Sequence, residues 1–191
     1  MDNKYSSLEK TINIKFKDRG MLENVFIHRS YLNEHKNSNF KSNERLEFLG
    51  DSVLSLITSV YLFKNYPNLE EGDYTEIKSA IVKMDSLAEA SKKIELNNYL
   101  LLSRGEEKGA GRTNNNIMAD CFEALIAAIF LDKNFETAYT FVVDFLFKDK
   151  LEYLLKNNLY LSSKSRLQEI IQSKYKKTPI YKVLDEKGPE H

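Results

Sequence analysis

The sequence predicts an all-α main domain over residues 1–157, a linker over 158–163, and a short α+β segment of one helix and one strand over 164–191. Three observations carry this. Residues 44–64 and 119–131 are apolar on most faces and long enough for helices. Residues 134–156 continue with helical spacing of Tyr139, Val142, Val143, Phe145 and Leu146. No segment before the tail alternates apolar and polar residues as a half-buried strand does.

In chain order, Met21, Leu22, Val25 and Phe26 fit a short helix. Asn43 stands where a side-chain oxygen would cap the helix that follows. Pro67, Gly72 and the acids between them mark a loop. Ile77, Ile81, Met84, Leu87, Ala88 and Ala90 predict helical segments broken near Asp85, and Asn97-Asn98 a turn. Ser103 to Asn116 holds three glycines and several basic residues, which predicts a loop where Arg104, Lys108 and Arg112 could touch phosphates. In the tail, Ser165 to Gln172 reads as an amphipathic helix. Pro179 to Leu184 reads as a strand with proline at its first position, and Gly188 to His191 as a turn.

At 191 residues the chain has room for one sizeable domain and a small appendage. No apolar run reaches 18 residues, so no membrane span is expected. Residues 1–20 lack the apolar core of a signal peptide. The single Cys121 cannot form an internal disulfide and reads as core packing. A cytoplasmic protein is expected. The zero net charge hides a split: residues 157–191 carry a net of +3 and the remainder −3. Electrostatic affinity for a polyanion would then sit in the tail.

The chemistry lies in two acidic stripes. Glu44, Glu47 and Asp51 fall at i, i+3 and i+7, one line along a helix. They share the segment with Leu46, Phe48, Leu49, Val53, Leu54 and Ile57, and no further charge follows until Lys64. A helix apolar on most faces should be buried. Residues 119–131 repeat the pattern, with Asp120 and Glu123 as their only charges. Inward carboxylates cost several kcal/mol per ion, roughly, unless compensated. Arg45 lies beside the first stripe and could serve one carboxylate but hardly four. Packed together, Glu47, Asp51, Asp120 and Glu123 would surround a hard cation, and an all-oxygen set suits magnesium or manganese. A solvated acidic face is the plain alternative, disfavoured by the apolar flanks.

Glu44-Arg45-Leu46-Glu47-Phe48-Leu49-Gly50-Asp51-Ser52-Val53-Leu54 resembles the signature of the ribonuclease III family. Phe26-Ile27-His28-Arg29-Ser30-Tyr31 resembles an upstream element of that family. Gly105 to Lys108, Gly111-Arg112 and Ile117 to Ala124 resemble its second acidic block. Glu70-Glu71-Gly72 sits where the family carries another acid before a glycine. The match runs over roughly residues 8–156 in order and spacing.

The resemblance implies an endoribonuclease that hydrolyses double-stranded RNA in rRNA or mRNA precursors. It implies a ribonuclease III-like helical fold and staggered cuts with 5′-phosphate and 3′-hydroxyl ends. Glu47, Asp51, Asp120 and Glu123 match the metal-binding carboxylates, with Asp51 and Glu123 nearest the attacking water. Glu44 and Glu71 match additional acidic positions, Glu71 toward a second metal or the substrate. Phe48 matches an aromatic that packs into the partner of a homodimer. Divalent cations in such a site acidify water and can clamp the attacking and leaving oxygens. Mg2+ is the expected cofactor, Mn2+ its substitute, and no nucleotide cofactor is implied. The tail resembles the opening of a double-stranded-RNA-binding domain, in which Ser165, Gln168 and His191 match minor-groove contacts. About 28 residues cannot bury an independent core, so this segment is not expected to act as an autonomous module.

A metal-free nuclease would need two positioned histidines. The chain offers His28, which reads as structural, His35 in a polar stretch, and His191. Two other readings stay open: a non-catalytic double-stranded-RNA-binding protein, against which the intact carboxylates argue, and a helical dimerisation protein with structural acids.

Overall fold

Every regular element among the described residues is helical. The computed structural model describes residues 4–36, 40–157, 159–161 and 163–182. The first of two units, Met1–Tyr160, holds α1 (Ser6–Thr11), α2 (Arg19–Val25), α3 (Arg29–Glu34), α4 (Glu44–Asn65), α5 (Glu71–Ile81), α6 (Met84–Lys93), α7 (Arg104–Lys108), α8 (Asn115–Asp132), α9 (Phe135–Val142) and α10 (Lys148–Lys156). The second, Leu161–His191, holds α11 (Ser163–Tyr175).

Helix α8 is the spine of the first unit. Asn114 starts it, its side-chain oxygen accepting from the backbone N–H of Asn116 at 2.9 Å and of Ile117 at 3.4 Å. Met118, Phe122, Leu125, Ile126 and Ile129 are fully buried. Each such side chain contributes about 1.5–3 kcal/mol on burial. Ala124, Ala127 and Ala128 let neighbours approach closely. Helices α2, α4, α6 and α9 pack around it. Cys121 is core packing: it is fully buried and burial holds its thiol far above the usual range.

Helix α4 is long and apolar enough to cross a membrane by length and composition, although its sequence holds no unbroken apolar run of that length. Val53, Leu54, Ile57 and Leu62 pack in the core. The expectation of burial on most faces fails on the other side, where Phe48 is 78% exposed, Phe63 73% and Leu56 54%.

Several local expectations shift. Asn43 does precede α4, but its side chain makes no cap. It is 3% exposed and donates to the Val25 carbonyl at 3.1 Å, satisfying a buried acceptor instead. The helix break falls at Val82–Lys83, and Asp85 lies in the first turn of α6, where the helix dipole favours an acid. The stretch 103–116 contains α7 and a 3-10 turn, Gly111–Thr113. Side chains supply the missing stops: Ser103 Oγ accepts from Glu106 N–H, and Glu34 Oε1 from Arg104 N–H at 3.0 Å. Residues 134–156 run as α9, a π-helical stretch at Val143–Phe147, and α10. The wider turn adds a residue, so Leu146, Phe147, Leu151 and Leu154 are buried while Phe145 is only partly so.

The expected strand at 179–184 is absent from its described residues, 179–182, and Val183, Leu184 and the turn at 188–191 lie outside them. A lone strand leaves every backbone group unpaired. Tyr181 instead folds back on α11: its hydroxyl donates to the Lys164 carbonyl at 3.3 Å, and Lys164 Nζ stands 5.0 Å from the ring centre.

Candidate active site

The site forms where α4 crosses α8. Gly50 sets the approach: a Cβ built on it would stand 1.9 Å from the backbone oxygen of Glu123. No residue with a side chain fits there, so the two backbones touch. Glu47 lies one turn before Gly50, and Asp51 follows it. On α8 the buried Ala119, Phe122 and Ala124 fix the rotation that turns Asp120 and Glu123 toward α4.

Carboxylate oxygens of Glu47, Asp120 and Glu123 lie within 4.8 Å of one another. Burial, reinforced by Asp51, Asp120 and Glu47, pushes the Glu123 carboxyl up to about 8. Burial likewise raises Asp120, against the pull of His28 and Arg29. Glu47 is raised by burial and then by Asp120 and Glu44. Among the described residues none of these three, nor Asp51, forms an ion pair. Three converging oxygens with uncompensated negative charge fit a divalent cation. Asp51 is exposed and stands outside the three-residue group, close enough for its charge to act on Glu123.

The acids line one side of a cavity of about 860 Å³. Its rim comes from the start of α3. His28 precedes that helix, and its Nδ1 accepts from the Ser30 N–H at 3.3 Å and lies 2.8 Å from Ser30 Oγ. Burial lowers the His28 pKa, against Glu106. Arg29 Nη1 stands 3.8 Å from Glu44 Oε1, and Ser42 Oγ donates to the other oxygen of Glu44 at 2.7 Å. Glu44 therefore lies on the cavity rim. Arg45 does not compensate the stripe; it lines a separate cleft with Asp18 and Leu131. One residue from Glu44 on a helix is a different face, and it is Arg29, from another helix, that stands beside Glu44.

The remaining candidates are spread out. Glu71 opens α5, where its Oε1 accepts from Thr75 Oγ1 at 3.0 Å; it lines a groove with Phe63 and Tyr74, away from the acidic cavity. Phe48 projects into solvent. Ser165 and Gln168 lie on α11 of the second unit, and His191 lies outside the described residues. His35 is exposed and stacks on Tyr31, ring centres 3.8 Å apart. Of the loop cations, Arg112 is committed within the fold, bonded to Glu107 and to the Asn97 carbonyl. Glu106 and Asn116 also line the cavity. Neither belongs to an apolar-flanked acidic stripe, so periodicity alone gave no signal for them.

Comparison with known proteins gives the family. The family model described as Ribonuclease-III-like matches residues 18–150. The chain is 45% identical to Ribonuclease 3 of Caldanaerobacter subterraneus over 96% of its length and 80% of that protein's. It is 41% identical to Ribonuclease 3 of Chloroflexus aurantiacus over its whole length and 78% of the relative's. The structure of the nuclease domain of ribonuclease III from Campylobacter jejuni superposes with a TM-score of 0.71 at 34% identity, covering 76% of this chain and 98% of that one; a region of that domain is described as involved in dimer formation. With the family model spanning most of the chain and the acidic crossing of α4 and α8 in place, this chain belongs to the ribonuclease III family and is an endoribonuclease of that type.

Proposed function

We propose that the chain hydrolyses double-stranded RNA as a homodimer, using magnesium at the crossing of α4 and α8 and leaving 5′-phosphate and 3′-hydroxyl ends on staggered cuts. The observation that carries this reading is the convergence of Glu47, Asp120 and Glu123, with Glu123 pushed up to about 8 and no ion pair to these acids among the described residues. A divalent cation bound there would acidify a water and offset charge on the phosphate. Glu47, Asp120 and Glu123 would hold it. Asp51, solvent-exposed beside them, would orient the attacking water and accept its proton. Glu44 and Glu71 stand outside the three-carboxylate group and would act on substrate or a further cation.

The homodimer is supported by the exposed face of α4. Phe48, Leu56 and Phe63 share it with Ser52 and Ser59, giving an apolar stripe with small residues between large ones. Apolar patches of this kind mark association sites. Phe48 is the residue expected to enter the partner. Ser165 and Gln168 on α11 would add minor-groove contacts, since duplex RNA is read mainly by its A-form geometry. The biological substrates of this reading are rRNA and mRNA precursors.

The test is cleavage of a long RNA duplex with magnesium, comparing the parent with Glu123→Ala on a denaturing gel. Cutting by the parent and none by the variant supports the reading. Equal cutting by both removes the acidic site from the mechanism.

A further inference from the structure

We infer that Arg29 is a substrate-contacting residue that exchanges its loose pairing with Glu44 for a phosphodiester of the RNA strand in the acidic cavity. This rests on the nuclease reading above. Among the described residues that line the cavity, five are carboxylates and Arg29 is the only arginine or lysine. An RNA strand that enters meets permanent positive charge at Arg29.

The base of Arg29 is fixed and its tip is free. The backbone before it is tied down, His28 N–H donating to the Leu101 carbonyl at 3.1 Å and Leu101 N–H to the Phe26 carbonyl at 2.8 Å. The hydroxyl of Ser30 accepts from Ser103 N–H at 3.0 Å. The Arg29 side chain itself is 74% exposed. Its contact with Glu44 is at 3.8 Å, longer than a charge-assisted hydrogen bond. Exposed pairs of this kind contribute little. Glu44 does not depend on it, because Ser42 Oγ already bonds the other carboxylate oxygen. Arg29 lines the same cavity as Glu47, Asp120 and Glu123, and its ion pair is with Glu44. A planar guanidinium matches two phosphate oxygens at once, and a lysine ammonium does not.

The experiment measures kcat/KM for cleavage of a long RNA duplex in magnesium across roughly 50–200 mM salt, with the full chain, Arg29→Ala and Arg29→Lys. One lost phosphate contact should reduce the log–log salt slope of Arg29→Ala by about one. Arg29→Lys should keep the slope, since the charge remains, and lower kcat/KM because the bidentate geometry is lost. Thermal melting accompanies each variant; an unchanged melt with a reduced slope supports the inference. A parent that cuts and an Arg29→Ala slope equal to the parent's overturns it and reduces Arg29 to a partner of Glu44. A parent that fails to cut the duplex overturns the double-stranded-RNA reading and this inference with it.

Discussion

Gly50 lies against the backbone carbonyl of Glu123, so closely that an added methyl group would stand 1.9 Å from the oxygen. Both atoms belong to helix backbones, and neither can move alone. Gly50→Ala therefore forces α4 and α8 apart. Alanine is the better helix former by about 1 kcal/mol, yet overpacking costs about 1–3 kcal/mol, so the variant should be less stable than the parent in urea unfolding. Cleavage should fall further than the loss of folded protein explains, because Glu47 is carried away from Glu123.

Glu123→Gln has the opposite effect on stability. It keeps the volume and removes the charge that burial and three neighbouring acids oppose. The cation-free variant should melt above the parent at pH 8, and magnesium should no longer raise its melting temperature much. Cleavage should be lost. A cation-free melt below the parent's would mean that the carboxylate is stabilised by a partner and would count against the electrostatic account.

The pH dependence follows from the same group. The Glu123 carboxyl is raised from an ordinary value near 4.5 to about 8 in the folded chain. The folded state therefore binds more protons than the unfolded state between those limits, and stability falls as pH rises through them. In chelator the melting temperature should drop from pH 5 toward pH 8. Magnesium should raise it most at the alkaline end, with protons released on binding. Melting in the two conditions across that window checks both signs.

Arg112 and Arg29 should separate cleanly in behaviour. Arg112 bonds Glu107 and the Asn97 carbonyl, so Arg112→Ala should lose stability, on the order of 1–2 kcal/mol, and leave the salt slope of cleavage where it was. Urea unfolding alongside the salt series tests this.

Phe48→Ser and Phe63→Ser remove the largest exposed apolar groups of α4. Each should leave the isolated fold intact and shift sedimentation toward the monomer. A parent that sediments as a monomer at every concentration would remove the homodimer from the reading.

Much of the site was legible because charge is rare on these helices. Glu47, Asp120 and Glu123 stand out as acids in apolar segments, and helical periodicity put the acids of each helix on one face. The closeness of the crossing was not legible, since Gly50 in a helical pattern could equally have been a neutral weak point. Arg29 was hidden because its relation to Glu44 joins different helices across fifteen residues. Asn43 carried a cap signal, but the buried Val25 carbonyl claimed its side chain first. The loop at 103–116 became helical in part through bonds from Ser30 and Glu34, partners some seventy residues away. The strand expected at 179–184 does not form over its described residues, 179–182, for the reason any solitary strand fails: the side-chain pattern proposes a strand, but only a neighbouring strand satisfies the backbone.

Helix α4 is a single 22-residue element, about 33 Å long at 1.5 Å per residue, and it carries both Glu47 and the Phe48–Phe63 stripe. Anything that restrains its tilt is felt by both. If a second copy seats on the stripe, association and cation capture become thermodynamically reciprocal: whatever factor one adds to the other's affinity must be returned. Dilution would then weaken cation binding, and cation depletion would loosen the pair, with the rod itself carrying both sites.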